Sequence, residues 1–120
     1  MKMRQLQTES NAWKRSLEYM TDENIQMKTR LSEILIDNFD ITLLTRIEYY
    51  QDQVLNEEEI LHLLRHNIAE MDRMLTLDSL SRNNKDISML RASLQQQITA
   101  AELRFNKLKS AFYDFLSENL

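Results

Sequence analysis

The sequence contains no glycine, no proline and no cysteine. Ordinary proteins carry about 7% glycine and about 5% proline, so a chain of 120 residues without either is strongly constrained. Tight hairpins need glycine at positive φ, and α/β folds use it where strands meet helices. A chain with neither residue has few turns, and a few long helices satisfy that most simply. A Gly-rich phosphate loop is excluded outright.

The missing cysteine excludes disulfides, a thiolate zinc site and a cysteine nucleophile. It fits a reducing compartment, and a cytoplasmic location is the expectation. The N-terminal MKMRQLQTES lacks the apolar run of a signal peptide. No segment approaches the ~18 apolar residues of a membrane span. With a net charge of −4 the chain lacks the basic balance of a general nucleic-acid binder. Neither membrane nor nucleic acid is therefore an expected partner.

What is present is globular: 42% of residues are hydrophobic against 28% charged, which sets the chain apart from disordered sequences. Residues 1–120 read as one helical-bundle domain, long enough to bury a core. Seven methionines at helical spacing suit gap-filling core positions.

Apolar residues recur at alternating steps of three and four. The first seam is Leu6, Trp13, Leu17, Met20, Met27, Leu31 and Ile34, with Ser10 and Asn24 on the same ladder. The run DNFD at 37–40 breaks it, and Asp40 or Asn38 is suited to cap the next helix. The second seam is Leu43, Ile47, Tyr50, Val54, Glu57, Leu61, Leu64, Ile68, Met71 and Leu75. A loop rich in Ser, Asn and Asp follows at 76–86, with a possible helical turn around Leu80. The third seam is Ile87, Leu90, Leu94, Ile98, Ala101, Phe105, Leu108, Phe112 and Phe115, with a stutter at Leu94–Ile98.

The spacing predicts an all-α fold, an antiparallel up-down-up bundle of three long helices at about 3–36, 41–76 and 84–118 with coiled-coil-like packing. Each helix spans roughly 50 Å, which makes the body a rod. Charge supports this order. Residues 37–80 carry ten acidic and three basic groups, while the segments before and after carry net charges of +1 and +2. An extended hairpin that completes its core by dimerising is the alternative arrangement.

The middle helix carries NEEEILHLLRHNIAE, in which Glu59 and His62 have the Glu-x-x-His spacing of di-iron bundles. With Leu61 at zero on a helical wheel, His62, His66, Glu59 and Glu70 fall at about 100° to 180°. They share a face that points away from the core. A di-iron site needs inward ligands and two such pairs, and this chain has only these two histidines. A solvated face is the expected role. Surface zinc on Glu59, His62, His66 and Glu70 is the alternative.

Asn24 and Glu57 occupy seam positions, and antiparallel packing brings Arg104 to the same height. The three are expected to form a polar layer in the middle of the core, with Arg104 answering the carboxylate. Such a layer serves register or oligomer choice more often than catalysis. Phe112, Phe115 and Tyr113 should gather with Ile34, Phe39, Ile47 and Tyr50 as an apolar plug at one end. Trp13 should pack near Ile68 and Leu90 or Leu94 at the other.

The middle helix also has leucines that its seam does not use. Leu44, Leu55 and Leu63 lie off the stripe and Ile60 flanks it, so the helix is apolar on two sides. This suggests a second neighbour, either a symmetry mate in a homodimer or another protein. The functional expectation is a non-enzymatic interaction or scaffold module acting through the middle helix, with no cofactor and no small-molecule substrate. The alternative is a metal-binding bundle whose site is completed on dimerisation around His62 and His66.

Overall fold

The computed structural model describes residues 3–37, 40–77 and 84–119. They form three helices, α1 (Met3–Asp37), α2 (Ile41–Leu77) and α3 (Asn84–Asn119). Each helix runs one residue beyond its predicted C-terminal end. The start of α2 follows from local chemistry. Asp40 Oδ1 accepts a hydrogen bond from the Thr42 N–H at 2.9 Å, and its carbonyl accepts from the Leu44 N–H. Asp40 is therefore an N-cap that satisfies orphan donors of the first turn. Asn38, Phe39 and Leu80 lie outside the described residues.

Cross-helix bonds define the topology. Ser10 meets Asp72, Thr21 meets Arg65 and Lys28 meets Glu58, so α1 and α2 run antiparallel. Arg46 meets Asn119, Tyr50 meets Ala111 and Glu57 meets Arg104, so α2 and α3 do likewise. Trp13 with Gln95, Glu9 with Arg91 and Ser16 with Glu102 keep a steady offset of 82 to 86 residues, which makes α1 and α3 parallel. The bundle is up-down-up, and every helix packs on both others. The extended hairpin does not occur. The Cα envelope measures 61 × 19 × 17 Å, a rod about as long as one helix.

The core is the seam. Every ladder position of α1 from Leu6 to Ile34 is buried, Ser10 and Asn24 included. In α2 and α3 all are buried except Leu43 and Leu90, which are partly covered and pack on the core. Both lie within two turns of a helix start, where fewer neighbours surround them. The stutter leaves Leu94 and Ile98 buried together. Leu35, Ile60 and Leu116 also lean on the core from its flanks.

At one end Tyr50 packs edge-on against Phe112 at 5.6 Å between ring centres and tilted on Phe115 at 5.1 Å. Its hydroxyl donates to the Ala111 carbonyl at 3.2 Å, which supplies the partner a buried tyrosine needs. Arg46 lies 4.7 Å over the Phe115 ring and covers the plug from solvent. Tyr113 touches Phe112 but stays half exposed. At the other end buried Trp13 donates its indole N–H to Gln95 at 3.1 Å, one residue beyond Leu94.

Candidate interaction surface and polar core layer

Two features stand apart from the apolar core: polar groups within it, and the outward face of α2. Asn24 and Glu57 are 4% and 2% exposed. Asn24 Nδ2 donates to the Val54 carbonyl at 3.0 Å, so its side chain bonds the backbone of α2 and neither Glu57 nor Arg104. Arg104 Nε donates to Glu57 Oε1 in a charge-assisted bond. The Arg104 side chain itself is 43% exposed, so it reaches in from the rim instead of lying within the layer. The arrangement is therefore two separate bonds at one level, with a buried carboxylate and a half-wet guanidinium. Glu57 Oε2 and Asn24 Oδ1 are buried acceptors to which no described protein group donates.

A third buried polar side chain, Ser10, is fully covered and donates to Asp72 Oδ1 at 2.7 Å, while Lys14 holds the other oxygen of Asp72. Nearby, Arg91 clamps Glu9 through Nε and Nη2, one of the two bonds being 2.6 Å long. The paired hydrogen bonds, with the guanidinium charge behind them, hold the Glu9 carboxyl below its usual range against the opposing effect of burial. The ladder carried a signal for Ser10, since serine at a core position needs a partner. It carried none for Glu9 and Arg91, which meet only because of the α1–α3 register.

On α2 the structure exposes Glu59, His62 and His66. Glu70 is half-buried and bound by Arg73, whose Nη2 lies 2.8 Å away. Those bonds, then the Arg73 charge, keep the Glu70 carboxyl below its ordinary value. Among the described residues no three His, Asp or Glu side chains converge as a cation site. His62 instead lines a groove between α2 and α1, with Thr21, Ile25, Lys28, Glu58 and Arg65.

Leu55 and Leu63 are 49% and 57% exposed, and Ile41 is 79% exposed. Leu44 differs from the expectation: it sits in the first turn of α2 and is half-buried, so it offers a partner less surface. Ile25 of α1, 55% exposed, borders the same side through the shared groove. No helix is long and apolar enough to cross a membrane among the described residues, so these side chains do not belong to a span.

A second heptad ladder runs along this outer face. Glu48, Leu55, His62 and Ala69 follow each other every seven residues, and so do Asp52, Glu59, His66 and Arg73. All eight are exposed. The ladder was visible in the sequence as a second set at the same period, obscured because most of its members are polar. Its three carboxylates, Glu48, Asp52 and Glu59, lie on the N-terminal side of His62, His66 and Arg73. No family model, curated protein or solved structure matches this chain, so the surface is read from its own geometry.

Proposed function

We propose that the chain is a non-enzymatic interaction module that self-associates through the outer face of α2. The observation that carries this reading is the exposure of Leu55 and Leu63, at 49% and 57%, on a helix whose opposite face already fills the core. A helix apolar on two sides has room for a second neighbour, and two-fold dimers are the commonest oligomers. The cysteine-free composition supports a reducing, cytoplasmic setting for such a module. The test is light scattering of the intact chain beside a Leu55→Lys/Leu63→Lys variant. Self-association in the parent and a folded monomer in the variant support the reading. A dimer that survives both substitutions moves the contact off α2.

A second reading rests on His62 and His66, exposed one turn apart on the same face. In it, two copies complete a metal site from their histidines and Glu59. Stoichiometric zinc or iron that resists dialysis, and is lost in the His62→Ala/His66→Ala variant, would favour this reading over the first.

A further inference from the structure

The two histidines of the chain stand four residues apart on α2, and both are exposed. We propose that His62 and His66 form a two-imidazole chelate on a single copy of α2, a site for a divalent transition metal of the copper class. The inference needs no second copy, so it goes beyond both readings above and stands or falls apart from them.

Helix geometry brings the pair together. Four residues turn an α-helix by about 400° and advance it by about 6 Å, so the two side chains leave neighbouring turns within about 40° of each other. Their Cβ atoms then lie roughly 5–6 Å apart. Paired histidines at this spacing on one helix face hold a single zinc ion in metalloproteases. The backbone beneath them is fixed, because Leu61, Leu64 and Ile68 of the same turns are buried in the core. Only side-chain rotation separates two free imidazoles from the chelate.

Little in the fold competes for the two rings. Among the described residues no hydrogen bond or ion pair engages either imidazole. The neighbouring charges are held elsewhere: Arg65 donates to Thr21 on α1, Lys28 pairs with Glu58, and Arg73 binds Glu70. His66 has a minor electrostatic contact with Glu70, whose carboxyl is held chiefly by Arg73. Glu59, one turn before His62, is exposed, and the acidic character of this helix raises the local concentration of cations.

The donor set selects the metal. Two neutral imidazole nitrogens with water at the remaining positions suit the tetragonal N,O coordination of copper(II) or nickel(II), and affinity among divalent metals peaks at copper. Zinc in proteins takes three or four protein ligands. Among the described residues no third His, Asp or Glu side chain converges here, which places zinc below copper. Magnesium and calcium take oxygen ligands and do not suit the pair.

The test is calorimetric titration of the intact chain with copper(II) in a non-chelating buffer, with light scattering before and after. The result expected is one copper per chain at unchanged molar mass, weaker uptake of nickel and zinc, and no response to magnesium. Copper at a hundred times Kd should raise Tm by about 5–10 °C, because the unfolded chain does not hold the pair one turn apart. His62→Ala and His66→Ala should each weaken binding about tenfold or more and remove most of that rise. Both positions are exposed, so neither variant disturbs the core. The variant His66→Ala/Leu63→His keeps two histidines but sets them side by side in sequence, where side chains do not face each other. Leu63 is exposed as well, and this variant should bind no better than His66→Ala. Parent-like affinity in it, or in His62→Ala/His66→Ala, overturns the chelate. So does the absence of copper uptake by the parent. Half a copper per chain with a doubled mass also overturns the single-copy site and favours a metal-bridged pair.

Discussion

The substitution Glu57→Leu separates a structural from a functional role for the polar layer. Glu57 is 2% exposed and one of its oxygens receives no hydrogen bond from the described residues. Replacing it with leucine places an apolar side chain in an apolar seam, a gain of about 1.5–3 kcal/mol. The loss is one charge-assisted bond to Arg104, worth about 1.5 kcal/mol at most because that arginine is 43% exposed and returns to water. The expected net is a stabilisation of about 1–2 kcal/mol, or roughly 3–8 °C in Tm for a chain of this size. The reverse change, Arg104→Met, leaves the buried carboxylate without its donor and should cost about 2–3 kcal/mol. The double variant should resemble Glu57→Leu alone. Urea unfolding followed by far-UV circular dichroism and by the fluorescence of the single tryptophan, Trp13, reads all three. Destabilisation of Glu57→Leu by more than about 1 kcal/mol, or a neutral Arg104→Met, would refute the reasoning. A change of molar mass in Glu57→Leu would show that the layer selects oligomeric state as well as register.

Two further outcomes follow from the cap and from the Glu9–Arg91 clamp. Asp40→Ala removes the acceptor for the Thr42 N–H and should lower stability by about 1 kcal/mol, with Asp40→Asn close to wild type, as thermal unfolding would show. The carboxyl of Glu9 is held low in the fold, so its contribution is complete above the unfolded carboxylate range and is lost as pH falls through the depressed folded value. Wild type should therefore exceed Glu9→Gln in stability near neutrality, and the difference should vanish in strong acid. Carboxyl NMR titration should show the Glu9 resonance moving to higher pH in Arg91→Met. An unmoved titration would contradict the clamp.

The fold was legible because the first two seams keep period without interruption and the third breaks it only at the Leu94–Ile98 stutter. Leu6 to Ile34 and Ile47 to Leu75 hold strict three-four alternation, and burial follows that geometry directly. Helix ends were legible to one residue because, in a chain without glycine, Asp and Asn carry the capping chemistry themselves. The partners of the polar groups were less so. That Asn24 and Glu57 are buried follows from period alone. That Asn24 bonds the Val54 carbonyl depends on how closely two backbones approach, which no residue pattern encodes. The half-buried state of Leu44 and the meeting of Glu9 with Arg91 likewise depend on packing at a helix end and on α1–α3 register. The outer face of α2 was legible as surplus leucine. Its heptad period emerged once the core face was known and could be subtracted.

The most direct test of the account is the solution molar mass of the intact chain by size exclusion with light scattering, taken over a range of concentrations and salt. The calculated monomer is 14.4 kDa. The account predicts a mass rising to twice that value, and a mass that stays at the monomer in the Leu55→Lys/Leu63→Lys variant. A monomer at the highest attainable concentration would contradict it and would leave Leu55 and Leu63 as a surface for a different protein.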